Sequence, residues 1–517
     1  MARGAFGGKP GNRSPTSLRR RTVPHVNALL LYPAFADTFW GFRHALKFVA
    51  RRAALPPLGL VTVAAMLPPT WRARVVDTNV RPLSAADLAW ADLVMVSAMN
   101  AQRRSARELV ARAHAAGRTI VAGGPLFDAG QAAFPEVDHF VLGEAESSFA
   151  PFIEDFTHGH AQRVYVATGL PDLRRTPVPR WDLLKLGDYH SMSVQFSRGC
   201  PFDCEFCDIT SRFGHLPRTK APEQVVAELD ALYRLGWRGS VFFVDDNLIG
   251  NKRALKTGLL PELVRWRRGR RGMSFYTEAS INLAQDAELM ASMVEAGFST
   301  VFIGVETPED AGLAECDKRQ NRGRDLVADV RTIQHAGLQV MGGFIVGFDS
   351  DTPSVFRRMS EFIQSSGIVT AMVGMLSAPS STRLYERMQR EGRLLGEMSG
   401  DNTDGTTNIR PRMGIDALRE GYRGILRSIY SPGPYYRRVR TFLREYRPRK
   451  LHPVVDWHHL WALLYSSVRL GVIGRERFHY WGLIGWTLLH RPKMIHAAVT
   501  FAIYGHHFRR VCKGLGA

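Results

Sequence analysis

Cysteine is scarce. There are five in 517 residues, and an odd, sparse set excludes the even-numbered disulfide frameworks of small secreted domains. No apolar run reaches the about 20 uninterrupted residues that a bilayer-spanning helix needs. The longest, Tyr480 to Gly505, is broken by His490-Arg-Pro-Lys493. No apolar h-region follows the first basic residues, so no secretory signal is expected, and Met1 to His25, rich in Gly, Ser, Pro and Arg, reads as a disordered leader. No G-x-G-x-x-G follows the first strand-like run, which argues against a dinucleotide ligand. Acids are also in deficit: 48 Asp and Glu against 68 Lys and Arg leave a net charge of +20. That surplus raises nucleic acid or an anionic membrane as partners, although an Ala- and Arg-rich composition explains it equally well. With 45% hydrophobic residues, the chain can fill two or three packed cores.

Three of the five cysteines, Cys200, Cys204 and Cys207, fall within eight residues at C-x3-C-x2-C spacing, in Ser197-Arg-Gly-Cys-Pro-Phe-Asp-Cys-Glu-Phe-Cys-Asp208. Structural zinc usually takes four protein ligands in two separated pairs. A [4Fe-4S] cluster takes one thiolate per iron, so three thiolates leave one iron open to the amine and carboxylate of a small molecule. Such a cluster is expected in reducing cytosol. Cys316 and Cys512 lie far off in sequence and read as inert free thiols.

Before the motif, strand-length apolar runs (Val26-Tyr32, Ala73-Asp77, Asp92-Ala98, Arg118-Gly123, Val137-Gly143) alternate with helical segments near Leu58-Leu67, Ala101-Ala116 and Glu146-Phe156. Continuous apolar strands separated by helices predict a buried, doubly wound five-stranded parallel sheet over residues 26–160. Ligands of such sheets sit beyond the carboxyl ends of the strands. Small or polar residues close those runs: Ser97, Gly123-Gly124 and Gly143-Glu144. After a linker at 161–187, six further βα units over 188–390 (Ser193-Gly199, Ser240-Asp245, Ser274-Glu278, Thr300-Glu306, Val340-Gly347, Val369-Leu376) predict a partial (β/α)6 barrel, too few for a closed eight-fold one. Acidic residues stand at its strand ends: Asp245-Asp246-Asn247, Glu278 and Glu306. The turn-rich Asp401-Asn-Thr-Asp-Gly-Thr-Thr-Asn408 is expected to cover the barrel mouth. Residues 391–517 read as a helical extension. From Tyr435 onward it has 15 Lys and Arg against three Asp and Glu, interleaved with Trp457, Trp461, Trp481 and Trp486. That pattern suits either an interfacial helix or a helical cap packed on the barrel.

The cysteine spacing, with Phe206 before the last cysteine, resembles the radical S-adenosylmethionine (SAM) superfamily, in which SAM chelates the open iron. The resemblance implies that Val244-Asp-Asp-Asn247 meets the methionyl amine, through Asp245, Asp246 and Asn247. Glu278 and Glu306 become candidates for the ribose and methionyl ends. Gly342-Gly-Phe-Ile-Val-Gly-Phe-Asp349 is similar to the superfamily's G-x-I-x-G strand beside the adenine, which implies SAM contacts at Gly343 and Val346. Asp349-Ser-Asp351 departs from the usual Glu and receives no role.

The doubly wound domain directly before the cluster resembles the cobalamin-binding domain of the B12-dependent radical SAM class. It implies a corrinoid over Ser97, Gly123, Gly124, Gly143 and Glu144. The D-x-H-x-x-G motif of histidine-ligating cobalamin proteins is absent, and His139 has the wrong spacing, so no histidine cobalt ligand is expected. Residues 26–517 together resemble the broader group of cobalamin-binding radical SAM proteins that includes the hopanoid C-2 methylases; Pro56-Pro-Leu-Gly-Leu60, Val76-Asp-Thr-Asn-Val-Arg-Pro82 and the tail fit it.

What this implies is an enzyme using a [4Fe-4S] cluster, SAM and cobalamin to methylate an unactivated carbon, through a 5′-deoxyadenosyl radical and methylcobalamin. One alternative is a rearrangement or cyclisation without methyl transfer. Another is nucleic-acid modification, as by methylthiotransferases, which carry a second cysteine triad and a terminal β-barrel that have no counterpart here. The expected partners are a small-molecule, lipid-like substrate, an electron donor such as flavodoxin or ferredoxin, and a peripheral contact with the inner face of the membrane. The expected location is the cytoplasm.

Overall fold

The computed structural model describes residues 25–128, 130–448 and 457–516. The leader expected before His25 lies outside the described residues. The first sheet contains β1 (Asn27–Tyr32), β2 (Arg72–Asp77), β3 (Leu93–Ser97), β4 (Thr119–Gly123), β5 (His139–Leu142) and β6 (Val164–Val166), in the order β2-β1-β3-β4-β5-β6. All neighbours pair in parallel. The strands are apolar on both faces because helices cover both. Leu29 and Leu31 pack into one core and Leu30 into another on the opposite face; burying each such side chain stabilises the domain by about 1.5–3 kcal/mol. The principal crossing helices are α1 (Leu58–Ala64), α2 (Arg103–Ala115) and α3 (Ala145–His158). The sheet has six strands, not the expected five. β6 lies inside the expected linker, and with Val164 and Val166 exposed its three residues carry no continuous apolar signal.

The second sheet contains β7 (Ser191–Val194), β10 (Ser240–Phe243), β11 (Ser274–Ala279), β12 (Phe298–Glu306), β13 (Gln339–Val346) and β14 (Ala371–Met375), with β8 (Ser197–Arg198) and β9 (Arg218–Thr219) forming a small antiparallel pair beside it. Its order is β14-β13-β12-β11-β10-β7, every pairing parallel. This is the expected partial barrel, with β7 and β14 as free edges. Helices α4 (Pro222–Arg234), α5 (Leu260–Arg267), α6 (Ala287–Ala296), α7 (Leu326–His335) and α8 (Val355–Ser366) cover its outside.

The expected strand Ser193-Gly199 stops at Val194, because the Asp245 carboxylate accepts the amides of Phe196 (3.0 Å) and Ser197 (2.5 Å) that a longer ladder would use.

The gap between the barrel edges is spanned by the long connection after β1. Trp40 Nε1 lies 2.9 Å from Met372 Sδ on β14, and Ala53 bridges to Tyr189 just before β7. The extension contributes α9 (Ile415–Tyr430), α10 (Pro432–Glu445), α11 (Trp457–Arg469), α12 (Arg477–His490) and α13 (Ile495–Gly514). Helix α13 is a core element: Phe508 stacks on Phe39 at 4.3 Å, and its Phe501 carbonyl accepts the Tyr435 hydroxyl at 2.7 Å. Helix α13 therefore packs inward, on the connection after β1 and on α10. The loop over 401–408 reaches the barrel mouth as expected. There the Asn402 carbonyl closes on Gly374 of β14, and Asn408 bonds both the amide and the carbonyl of Ala378 at 2.8 Å.

Candidate active site

The cysteine loop leaves β8 at the carboxyl end of the barrel. Gly199 sits at φ +101°, and a Cβ there would meet the carbonyls of Gly214 (2.8 Å) and Phe213 (3.0 Å), so only glycine permits the turn. The chain then folds back on itself: Cys200 N donates to Gly214 O at 3.3 Å and Cys207 N to Cys204 O at 3.0 Å. Cys200, Cys204 and Cys207 are half-buried free thiols. Burial pushes all three up, Cys207 to about 12, a cost that metal ligation removes, since the ligand is the thiolate. Among the described residues no three His, Cys, Asp or Glu side chains are placed to share one metal ion. An iron-sulfur cluster makes no such demand, taking each thiolate on a different iron.

Two amides point at the loop's sulfurs: Asn247 Nδ2 lies 3.9 Å from Cys200 Sγ, and Gln320 Nε2 lies 3.9 Å from Cys204 Sγ. Amide donors of this kind tune a cluster's potential. Phe206 packs with Cys316, Phe348 and Leu384 and anchors the loop. Cys316 is thus brought beside the motif despite its sequence distance, its carbonyl accepting Glu205 N at 3.0 Å. Both Cys316 and Cys512 are buried, with thiols raised to about 12 by burial, in keeping with inert roles.

The acidic residues divide by what they touch. Asp245 does not face a ligand. It is fully buried, and besides the two amides it accepts the Ser197 hydroxyl at 2.6 Å, so it shapes the entry to the cysteine loop. Asn247 is also committed, its carbonyl oxygen accepting Ser280 N at 3.2 Å while its amide donates to Ser280 Oγ at 3.2 Å. Asp246 accepts the amide of Gly199 at 3.4 Å, and burial raises it to about 6. Glu278, half-buried on the inner face of β11, is raised to about 8 by burial and then by the like charge of Asp246.

Glu306 sits at φ +63° on a bulge of β12, a strained conformation for a non-glycine residue. The strain is held by Lys318, whose Nζ is 2.5 Å from Glu306 Oε1. Burial alone would lower this ammonium; the Glu306 carboxylate and then the Cys204 sulfur outweigh it and raise it.

Asp246, Glu278 and Glu306 therefore form an acid-rich group with one Lys partner, next to the sulfurs. Gln320 Oε1 and Asn321 Oδ1 are buried beside it without hydrogen bonds. Such a group is relieved by a bound cation, and an ammonium plus sulfonium ligand fits it.

Of the two expected adenine contacts, Gly343 lies on the inner face of β13 beside Phe302, and Val346 points the other way. The Phe302 ring lies 2.7 Å from where a Gly343 Cβ would stand, and Val346 is buried in the helix-facing core.

The carboxyl ends of the first sheet face the cysteine loop. Ser97 and Gly124 meet there, a Gly124 Cβ falling 2.9 Å from Ser97 Oγ at φ +93°. A Gly123 Cβ would strike Val141 O at 2.7 Å, and a Gly143 Cβ would strike Ala167 Cβ at 2.8 Å. These glycines are thus required by the domain's own packing. Glu144 departs from its expected corrinoid role. It is buried between Arg198 (2.5 Å) and Arg218 (2.7 Å), and Glu146 takes the other arm of Arg198 at 2.7 Å. A second bridge joins the halves at Arg212, between Asp128 (2.7 Å) and Asp208 (2.6 Å). His139 opens β5 at the end away from this face and bonds Gln162 O at 2.6 Å, an ordinary strand residue as expected.

Family models match the chain in the same order as the fold: a B12 binding domain over residues 49–153, the radical SAM superfamily over 194–363, and a domain of unknown function over 382–516. An uncharacterized methyltransferase of Synechocystis sp. is 41% identical, over 93% of this chain and 91% of the relative. The hopanoid C-2 methylase of Rhodopseudomonas palustris is 36% identical, over 82% of this chain and 81% of the relative. The chain belongs to the B12-binding radical SAM proteins. The cobalamin-dependent radical SAM enzyme OxsB, with cobalamin and SAM bound, shares the fold at TM-score 0.59 and 13% identity, over 96% of this chain and 84% of that one. So does the methyltransferase TsrM of Kitasatospora setae, at 0.58 and 14%, over 86% and 99%. As a radical SAM protein with a B12 domain the chain is an enzyme, and its cofactors are a [4Fe-4S] cluster, SAM and cobalamin.

Sequence reasoning missed Lys318, Arg198, Arg218, Glu146 and Trp40. Arg198 was in view inside Ser-Arg-Gly-Cys, and Lys318 lies within the polar run Lys318-Arg-Gln-Asn321 after Cys316. What neither pattern carries is the partner, which comes from another element.

Proposed function

We propose that this B12-dependent radical SAM enzyme is a methyltransferase acting on an unactivated carbon of an apolar, lipid-like small molecule, with electrons from a donor such as flavodoxin or ferredoxin and with peripheral contact at a membrane surface. The observation that carries the substrate class is the barrel interior. Inner-face positions are half-buried aromatics and methionines: Phe242 stacks on Tyr276 at 4.7 Å, Trp40 meets Phe302 edge-on at 5.5 Å, and Met341 and Met372 continue the wall. Aromatic and thioether walls bind apolar bodies, and the polar atoms of this one are few, the Tyr276 hydroxyl and the Trp40 indole N–H among them. The hopanoid named for the Rhodopseudomonas relative is consistent with such a lining.

When bound, the cofactors supply a carbon-centred radical and a transferable methyl group. The chain's part is to hold and orient. Cys200, Cys204 and Cys207 would ligate the cluster, Asp246, Glu278 and Glu306 would take the cationic end of SAM, and Lys318 would fix Glu306. Phe302, Met372 and Trp40 would keep water from the reacting carbon. Comparing lipid extracts of a deletion strain and its parent by mass tests this: species lighter by one methylene are expected in the deletion. Matching lipids, with the change confined to water-soluble metabolites, would overturn the lipid assignment. A product of unchanged mass but altered retention would mean rearrangement.

A further inference from the structure

Helices α11 and α12 each bury one face and leave the other bare. Ser466 and Leu470 on one side and Tyr480, Leu483 and Ile484 on the other are buried, with the Tyr480 hydroxyl 3.1 Å from Ser466 Oγ and Trp481 Nε1 donating to Gly471 O at 2.9 Å. The hairpin is therefore locked in shape. Its outer face is apolar and open: Leu464 is 52% exposed, Val468 53%, Val472 63%, Ile473 61%, Phe478 78% and Leu489 83%. Large apolar side chains left exposed together on one hairpin mark an interaction surface.

Charge selects the occupant. Arg475, Arg477 and Lys493 are exposed around the patch. The sole acid over the described residues 457–493, Glu476, is buried and, against that burial, held to about 2 by His506 and by Arg509 at 2.6 Å. A second copy of this chain docked by a twofold axis would set the same cations against each other. A surface of anionic lipid headgroups over an apolar interior matches both features. No helix among the described residues is long and apolar enough to cross a membrane, so the hairpin would lie on one.

We propose that the α11–α12 hairpin docks the enzyme on an anionic phospholipid monolayer, with the Val472-Ile473 turn and Phe478 inserted and Arg475, Arg477 and Lys493 at headgroup level. This specifies the surface for the membrane contact proposed above.

The test is sedimentation of the full-length, reconstituted enzyme with vesicles of phosphatidylcholine and phosphatidylglycerol at 3:1, and with phosphatidylcholine alone. The parent should pellet with the anionic vesicles and be released by salt. V472E/I473E/F478E should remain in the supernatant. R475Q/R477Q/K493Q should bind anionic vesicles roughly 100-fold more weakly, from about 1 kcal/mol per cation. All three proteins should keep equal iron content and SAM cleavage in solution, which separates docking from misfolding.

Parent protein that ignores both vesicle types, or a triple-Glu variant that pellets as well as the parent, overturns the proposal. So does a dimer in analytical ultracentrifugation that V472E/I473E/F478E abolishes while vesicle binding stays absent. Vesicle binding by a parent whose deletion strain shows no methylene-lighter lipid would keep the docking surface and remove only the lipid substrate. Methylation of a micellar lipid without vesicle binding would remove only the docking surface.

Discussion

Glu278 is the residue where electrostatics and ligand binding meet. A carboxyl raised to about 8 holds its proton more tightly than it does in the unfolded chain, where about 4.3 is usual. Without ligand it therefore lowers stability progressively as pH rises between those two values. A bound cation reverses the preference by favouring the carboxylate. SAM binding should then release a proton below pH 8, and affinity should climb as pH rises from about 6 to 8, at most tenfold per unit. Calorimetry of the reconstituted enzyme in buffers of different ionisation enthalpy measures that proton. Glu278→Gln should abolish the release and weaken binding; an unchanged proton count in the variant would exclude Glu278 from the SAM site. At this scale the sequence was only partly legible. Val-Asp-Asp-Asn identified a polar strand end, but a loop has no periodicity to say that Asp245 turns to backbone amides while Asp246 turns inward.

At the level of elements, the cysteine loop is tied to the first domain by the junction of α3 with β8 and β9. Arg198 stands two residues before Cys200 and is gripped by Glu144 and Glu146, with side-chain exposures of 14%, 6% and 5%. Removing one partner from a buried pair leaves an unpaired charge and costs about 3–5 kcal/mol. The double variant Glu144→Gln, Glu146→Gln keeps the shape and removes both anions around Arg198. It should keep its cluster absorbance, lower the unfolding temperature, and cleave SAM while methylating bound cobalamin at least tenfold more slowly. Equal loss of both activities would mean only general destabilisation. The elements themselves were legible wherever apolar period and length agreed, as in β1, β4 and α3. Two were not: β6 is three residues long at a sheet edge, and the Ser193-Gly199 run looked like one strand until the distant Asp245 cut it at Val194.

The whole molecule is two α/β bodies facing each other across strand ends, closed by the Trp40 connection, α13 and the 401–408 loop. The first body has two cores of its own, beside the large core and the small one that the barrel side holds, so it carries what a domain needs to fold alone. Its crevice lies where strand order reverses between β1 and β3, beyond the carboxyl ends. The histidine motif is absent from the sequence, and His139 is held at the amino end of β5. A fragment of residues 1–170, which retains β6, should therefore bind cobalamin, more weakly than the full chain because the Glu144 and Glu146 bridges to the barrel are missing. Electron paramagnetic resonance of bound cob(II)alamin should show no nitrogen coupling from a protein axial ligand, in the fragment and in the intact enzyme alike. A fragment that is folded by circular dichroism yet ignores cobalamin would place the corrinoid's main contacts on the barrel. A nitrogen coupling in the intact enzyme that vanishes in the fragment would assign the cobalt ligand to a side chain from beyond residue 170.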